Sequence, residues 1–199
     1  MAPSRVPLVT GGRQVGIFVI TGPSGVGKGT LIAALRERHP ELGLSISATT
    51  RAPRAGEEDG VAYHFLSDAE FDARLAAGDF VEHANYAGHR YGTLRSELER
   101  HTRAGNPVVL EIEVQGARQV RDAIPSAVLA FIAPPSLAVL RRRLEERGTD
   151  APLTSAKRLE VAKEELAALG EFRYVIVNDR LDDAIGALEE VYEGAGAAD

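Results

Sequence analysis

The chain has 199 residues, 44% of them hydrophobic and 26% charged, so it can bury a sizeable core. Its net charge of -6 argues against a broad nucleic-acid-binding surface, because such a surface needs clustered cations. The chain has no cysteine, which excludes disulfides and thiolate metal sites, and its sequence shows no apolar stretch of membrane-spanning length and no signal peptide. We therefore expect a cytoplasmic protein with neither a membrane nor a nucleic-acid partner.

A phosphate-binding loop is predicted near the start of the chain. An uninterrupted apolar run at 15–20 predicts a strand covered on both faces, and a helical pattern follows at 28–38. Three apolar residues mark the inner side of that helix: Leu31, Ile32 and Leu35. The segment before it fits the pattern G-x-x-x-x-G-K, with Gly22, Pro23, Ser24, Gly25, Val26, Gly27 and Lys28. Its N–H groups, its lysine and the positive helix end can all face one polyphosphate, which favours nucleotide binding over a plain glycine-rich turn.

The loop departs from its usual pattern directly after the lysine. Phosphate-binding loops commonly place Ser or Thr there to bind Mg²⁺. This chain has Gly29 at that position, and Thr30 comes one residue later. We therefore expect phosphates and water, and not a loop hydroxyl, to hold Mg²⁺.

Residues 44–93 have a different pattern and predict a small inserted domain. Three short mixed segments predict one-sided antiparallel strands, at 44–47, 61–66 and 80–86. Between the last two, Ser67 and Glu70 predict a capping box that opens a short helix, and Gly78 predicts its end.

The remainder of the chain predicts a wound α/β core. Continuous apolar runs predict three more buried strands, at 108–112, 128–132 and 174–177. A helical pattern follows each run, at 117–124, 137–147 and 183–192. This alternation predicts a parallel sheet whose ligand binds at the carboxyl ends of the strands. A charged helical segment at 141–169 predicts a mobile arm, with residues 141–143 mostly solvated.

Two arginines in the inserted domain are candidates for phosphate binding. Arg51 and Arg54 are three residues apart in a short loop, so their guanidinium groups could hold one phosphate, although a solvated basic loop is the alternative. Four further polar side chains lie on or beside the short strands and could converge on the same hollow: Tyr63, Glu82, Tyr91 and Thr93.

Six motifs, in this order and spacing, resemble those of guanylate kinases, which transfer the γ-phosphoryl group of ATP to GMP. They lie at 22–28, 47–65, 80–93, 110–116, 147–149 and 177–179. The resemblance implies an α/β fold: a parallel-sheet P-loop kinase core with an inserted small GMP-binding domain and a helical lid. The implied division is a flexible leader at 1–13, a core at 14–43, 94–140 and 170–193, a GMP-binding insertion at 44–93, a lid at 141–169 and a tail at 194–199.

The resemblance also implies roles for the matched residues of the insertion. Arg51, Arg54, Tyr63 and Tyr91 would hold the GMP phosphate. The base would contact Ser47, Glu82 and Thr93. A carboxylate at Glu82 can accept hydrogen bonds from N1–H and the 2-amino group of guanine, while the Ser47 hydroxyl can donate to O6. A solvent-facing strand glutamate is the alternative for Glu82.

Two acidic residues follow the second buried strand. Glu111 and Glu113 are two apart, so we expect them to project from one face. The resemblance implies that Glu111 binds Mg²⁺ through water and that Glu113 meets the guanine amino group. The family more often has aspartate at the second place, and an ion pair with an arginine is the alternative for Glu113.

The resemblance implies further ATP and transfer contacts. Arg147 continues an apolar helical stripe, and the Gly148 after it favours a role for Arg147 in capping the end of the helix. The family instead places an arginine at this position, and another at Arg158, over the transferring phosphoryl group. Asn178 and Asp179 resemble the pair that contacts adenine, a turn before a helix being the alternative.

We therefore expect direct transfer from ATP, with Mg²⁺, to GMP or dGMP. The catalytic residues would be Lys28, Arg54, Arg147 and Arg158, and GMP would draw the insertion and the lid inward. The alternatives are a non-catalytic guanylate-kinase-like binding module, another nucleoside monophosphate kinase, and a P-loop ATPase or GTPase. We expect a monomer or a small homo-oligomer.

Overall fold

The computed structural model describes residues 16–86, 88–146 and 152–196. The chain forms two compact units. Among the described residues, unit 1 holds 16–17, 41–110 (without 87) and 115–127, and unit 2 holds 18–40, 111–114 and 128–196 (without 147–151). In the part of the chain that is described, no helix is both long and apolar enough to cross a membrane.

The strands are β1 (Ile17–Thr21), β2 (Gly43–Leu44), β3 (Ala48–Thr49), β4 (His64–Phe65), β5 (Phe80–Tyr86), β6 (His89–Leu94), β7 (Val108–Glu111), β8 (Val128–Ala133) and β9 (Tyr174–Val177). The helices are α1 (Lys28–Arg38), α2 (Asp68–Ala77), α3 (Arg95–Arg103), α4 (Val114–Ala123), α5 (Leu137–Glu146), α6 (Pro152–Ala167) and α7 (Leu181–Gly196). A 3-10 turn spans Leu169–Glu171.

Unit 2 is built on parallel strands, as the continuous apolar runs predict. β8 pairs in parallel with β1 on one side and with β9 on the other. Every residue of β1 is buried, which fits a strand covered on both faces. Helix α1 begins and ends at the predicted residues and buries Leu31, Ile32 and Leu35. The α/β class and its parallel sheet are therefore confirmed.

Unit 1 contains a four-stranded sheet in the order β4-β3-β6-β5. β6 is antiparallel to both β3 and β5, while β3 and β4 are parallel. A small core packs against this sheet and includes Ala48, Phe71, Phe80 and Leu94, with the rings of Phe71 and Phe80 stacked at 4.4 Å between centroids. β2 pairs in parallel with β7.

Two strand directions differ from the prediction. The segments at 44–47 and 61–66 were expected to give antiparallel strands, but β2 is parallel to β7 and β4 is parallel to β3. The alternation of polar and apolar residues reports that one face is covered, and it carries no information about the direction of the neighbouring strand. The segment at 80–86 does form an antiparallel strand, β5.

Helix α2 forms as its capping signals predict. The Ser67 hydroxyl accepts from the Glu70 N–H at 3.2 Å, and the Glu70 carboxylate accepts from the Ser67 N–H at 2.7 Å. Gly78 ends the helix with a φ of 76°. Two N–H groups at the start of the helix, those of Ser67 and Glu70, are thereby satisfied, as in a capping box.

Replacing Ser67 with alanine should therefore lower the free energy of unfolding by about 1 kcal/mol, because one helix N–H loses its acceptor. Urea unfolding followed by circular dichroism measures the change. The matched control is Ser96→Ala, at an exposed position within α3. Equal stabilities for the two variants would contradict a stabilising role for the cap.

Candidate active site

The phosphate loop of unit 2 adopts a shape that requires glycine. Gly22, Gly25 and Gly27 have φ values of 135°, 81° and 97°, which other residues rarely adopt. A Cβ on Gly22 would collide with the carbonyl oxygen of Ile132, at the end of β8. Gly27 is the N-cap residue of α1, so the loop delivers the chain directly into a helix N-terminus. The loop amides and this helix end can meet one anion.

Side chains from two other elements hold the loop. Asn178 Nδ2 donates to the carbonyl oxygen of Val26 at 2.8 Å. Arg143 donates to the Asn178 carbonyl oxygen at 3.0 Å, and its other terminal nitrogen lies 3.5 Å from the Val26 carbonyl oxygen. Lys28 Nζ donates to the Gly22 carbonyl oxygen at 2.6 Å, so the cation lies over the loop. Arg143 is half-buried here, whereas Arg141 and Arg142 are exposed, so the expectation that residues 141–143 are mostly solvated holds for two of the three.

The residues near the start of α1 fit an Mg²⁺ ion bound with a nucleotide. Glu111 ends β7 with an exposed side chain, and its Oε2 lies 3.5 Å from where a Cβ on Gly29 would be. Mg²⁺ prefers oxygen ligands and is commonly bound by one or two carboxylates together with phosphates and water. One exposed carboxylate beside the start of α1, with no hydroxyl at Gly29, matches that preference.

Unit 2 also buries a carboxyl group near the loop lysine. Glu165 of α6 is 9% exposed, and its Oε2 has no hydrogen-bond partner among the described residues. Burial raises the pKa of Glu165 to about 7, against the opposing effects of Lys28 and of a hydrogen bond from the Val114 N–H. This side chain therefore changes charge near neutral pH.

In unit 1, one arginine and two tyrosines come together. The Arg51 guanidinium lies 5.3 Å from the centre of the Tyr63 ring, and the rings of Tyr63 and Tyr91 are 6.1 Å apart. Glu57 accepts from Arg51 at 2.9 Å and from the backbone N–H of Arg54 at 2.8 Å. The bond from Arg51 lowers the pKa of Glu57, so the pair stays ionised. This cluster offers a cation and phenol groups to an anion.

Glu82 is a buried carboxylate. Its side chain is on β5 with 4% of its surface exposed, and Oε1 accepts from the Thr93 hydroxyl at 2.7 Å. Burial raises its pKa, and the hydrogen bonds from Thr93 oppose that effect. A solvent-facing strand glutamate, the alternative at this position, is therefore excluded. Ser47 is half-buried, directly before β3.

The remaining predicted site residues differ in their exposure and in the element that carries them. Arg54 and Asp179 have exposed side chains, Asn178 is buried, and Arg158 is half-buried on α6. Glu113 follows the end of β7 and precedes α4, so it does not share a strand face with Glu111 as expected. Arg147 lies outside the described residues.

Three residues near these sites had no predicted role: Glu57, Arg143 and Glu165. Glu57 carries a sequence signal, because an acid lies six residues after an arginine in one short loop. Arg143 sits in a run of three arginines, and nothing in that run marks it apart from its neighbours. Glu165 lies in a charged helix, where burial is not expected from sequence.

Comparison with known proteins gives the family. The model of the family described as "Guanylate kinase" matches residues 14–195. The chain belongs to the guanylate kinase family. A relative named guanylate kinase from Frankia casuarinae is 54% identical over 181 residues, covering 91% of this chain and 98% of that protein. One from Synechococcus sp. (strain CC9902) is 56% identical over 173 residues, covering 87% and 92%.

A solved structure agrees with this assignment. The crystal structure of guanylate kinase from Anaplasma phagocytophilum aligns with a TM-score of 0.76 at 31% identity, covering 92% of this chain and 87% of that one. The P-loop kinase fold and guanylate kinase membership are thus confirmed. Membership of the guanylate kinase family makes this chain a nucleotide kinase, with ATP and GMP as the substrates of the family.

Glu165 should make the stability of this guanylate kinase depend on pH. Its folded-state pKa is about 7 and its ordinary value is 4.5, so the folded state binds the proton more tightly. Stability is therefore lost as pH rises from about 5 to about 8. In Glu165→Gln, that loss should shrink by about 1–3 kcal/mol.

Urea unfolding at pH 5, 6, 7 and 8 measures this effect in the wild type and the variant. Glu164→Gln is the matched control, since Glu164 is the exposed neighbour on the same helix. Parallel pH curves for the wild type and Glu165→Gln would exclude the raised pKa.

Proposed function

We propose that this chain transfers the γ-phosphoryl group of ATP to GMP or dGMP in a direct in-line step, giving ADP and GDP or dGDP. The observation that carries the proposal is the buried carboxylate of Glu82, which suits a base that offers two N–H donors on one edge. Guanine has those donors at N1 and at the 2-amino group, and adenine cannot match them. A site built to bond a substrate group can reject its absence by about 10⁴-fold.

Unit 2 would hold the donor. In this proposal the loop surrounds the phosphates with the backbone N–H groups of Gly22, Ser24, Gly25, Val26, Gly27, Lys28, Gly29 and Thr30, and Pro23 is part of the loop without donating an N–H. Lys28 neutralises charge on the phosphates, and Asn178 and Asp179 contact adenine. The support is the glycine geometry of the loop and the position of Lys28 over it.

Unit 1 would hold the acceptor. Arg51, Arg54, Tyr63 and Tyr91 bind the phosphate of GMP. Its base lies against Ser47, Glu82 and Thr93. Glu113, which belongs to unit 2, would meet the guanine amino group, as the family resemblance implies. The ion pair between Arg51 and Glu57 supports this assignment, because it fixes a guanidinium beside the tyrosines. The acceptor is already an anionic phosphate oxygen, so no general base is needed and catalysis depends on position and charge.

Further residues would act on the transferring group. Arg147 and Arg158, in the proposed lid at 141–169, neutralise its developing negative charge. Mg²⁺ bound with ATP supplies further neutralisation, and Glu111 would hold it through water. The core at 14–43, 94–140 and 170–193 and the GMP-binding insertion at 44–93 complete the proposed division. The chain works in the cytoplasm as a monomer or a small homo-oligomer.

An acceptor panel tests the function. A coupled assay supplies ATP, Mg²⁺ and, in turn, GMP, dGMP, AMP, UMP and CMP. Turnover of GMP and dGMP alone supports the proposal. Preference for another monophosphate would identify a different kinase, and folded protein with no turnover would identify a binding module.

Replacing Lys28 with alanine should lower kcat by about 100-fold or more, because the donor phosphates lose a cation that acts in the transfer. The Kd for GMP, measured by calorimetry, should stay within about twofold of the wild type. Lys163→Ala is the control, since Lys163 is exposed on α6 and pairs with Glu160. Loss of GMP affinity in Lys28→Ala would show that the two sites are wrongly assigned.

Replacing Glu82 with glutamine should lower the ratio of kcat/KM for GMP over AMP by about 10- to 100-fold, because one acceptor for guanine becomes a donor. Glu99→Gln on α3 is the control, since Glu99 pairs with Arg103 near the surface. An unchanged ratio in Glu82→Gln would remove this residue from the base site.

A further inference from the structure

Helix α4 is hydrogen-bonded to β5, the strand that carries Glu82, through the side-chain amide of Gln119. The backbone N–H of His83 donates to Gln119 Oε1 at 3.1 Å, and Gln119 Nε2 donates to the His83 carbonyl oxygen at 2.7 Å. The same Nε2 lies 3.3 Å from the carbonyl oxygen of Gln115, one turn earlier in α4. Gln119 therefore binds both backbone groups of the residue that follows Glu82.

The position of this contact matters because β5 is the outer strand of its sheet. In the order β4-β3-β6-β5, one side of β5 pairs with β6 and the other side faces outward. His83 turns its N–H and its carbonyl group to Gln119, so the amide takes up the hydrogen-bonding groups of this outer edge. At His83, the Gln119 amide makes the two backbone hydrogen bonds that a neighbouring strand would make.

β5 needs such support beside Glu82, because its pairing with β6 is irregular there. The pairing of β5 with β6 shifts between Phe80, which lies opposite Leu94, and Glu82, which lies opposite Thr93. An irregularity of this kind redirects a side chain and weakens the local ladder. Gly92 is packed against it, since a Cβ there would lie 2.8 Å from the Glu82 carbonyl oxygen.

Helix α4 also contacts the Glu82 side chain itself. A Cβ on Gly116 would overlap Oε2 of Glu82, so the carboxylate lies against the helix only because this residue has no side chain. Gly116 and Gln119 are three residues apart and share one face of α4. One face of the helix thus bounds the Glu82 carboxylate and holds the backbone of the next residue.

We infer that α4 sets the position of the carboxylate that reads the acceptor base, with Gln119 as a positioning residue and Gly116 as the residue that leaves room for it. The inference rests on the proposed function, in which Glu82 binds guanine. When Gln119 is lost, the β5 backbone loses two hydrogen bonds beside Glu82, and the carboxylate no longer stays aligned with N1–H and the 2-amino group. The donor site in unit 2 is unaffected.

The decisive variant is Gln119→Leu, which keeps the side-chain size and removes both hydrogen bonds. We expect the KM for GMP to rise about tenfold, with kcat and the KM for ATP within about twofold of the wild type. The ratio of kcat/KM for GMP over IMP should fall by a similar factor, because IMP lacks the 2-amino group. Arg121→Leu, an exposed position on the same helix, is the control and should match the wild type.

Two more variants keep the test valid if Gln119→Leu folds poorly. Gln119→Glu retains the acceptor for the His83 N–H and should give an intermediate GMP over IMP ratio. Gly116→Ala places a methyl group against Glu82 and should raise the KM for GMP. A wild-type ratio in all three variants would overturn the inference, as would an equal rise in the KM for ATP.

The same assays separate this inference from the proposed function. If the wild type phosphorylates GMP and Glu82→Gln loses its preference over IMP, while the α4 variants keep that preference, only the inference fails. If the wild type does not phosphorylate GMP, the proposed function fails and the inference fails with it.

Discussion

A loop that binds phosphate through its backbone must be held in shape by other parts of the chain. Its N–H groups point at the ligand, so they are not available to stabilise the loop itself. In unit 2 the support comes from the ends of parallel strands. Gly22 packs against the carbonyl group of Ile132 in β8, and Asn178, directly after β9, donates to the Val26 carbonyl oxygen. Arg143 adds contacts to both Val26 and Asn178. The parallel sheet is therefore the scaffold that gives the loop its geometry.

The carboxylate of unit 1 poses the opposite electrostatic problem. Burial of Glu82 disfavours its charged form and raises its pKa, and Thr93 offsets part of that cost. Donors on a bound base would offset more of it, whereas a base without them would leave the carboxylate poorly satisfied. Selectivity in such a site comes from the free-energy cost of burying an unpaired carboxylate, which only a base with matching donors removes. Under the proposed function, this accounts for a carboxyl group with a raised pKa at the base site.

The features predicted well are those encoded by neighbouring residues. Uninterrupted apolar runs located β1, β7, β8 and β9, and capping residues located α2 almost to the residue. Helix α3 gave no such signal, since its buried face includes Glu97, His101 and Thr102. Strand direction, the buried position of Glu165 and the support from Gln119 depend on partners distant in sequence. The assignments of individual residues to ATP and GMP came from motif resemblance and remain predictions, although the clustering of Arg51, Tyr63 and Tyr91 agrees with them.

The amide of Gln119 has one more consequence, for solubility. An outer strand with free backbone groups is a template on which strands of other molecules can assemble, and natural sheets protect such edges. β5 is seven residues long, and His83 lies near its middle. Without Gln119, the backbone N–H and carbonyl groups of His83 would be available to pair with such a strand. With both backbone groups of that residue already engaged, a foreign strand finds no continuous ladder to extend. The contact inferred to position Glu82 thus also occupies the backbone groups of one residue on an open sheet edge.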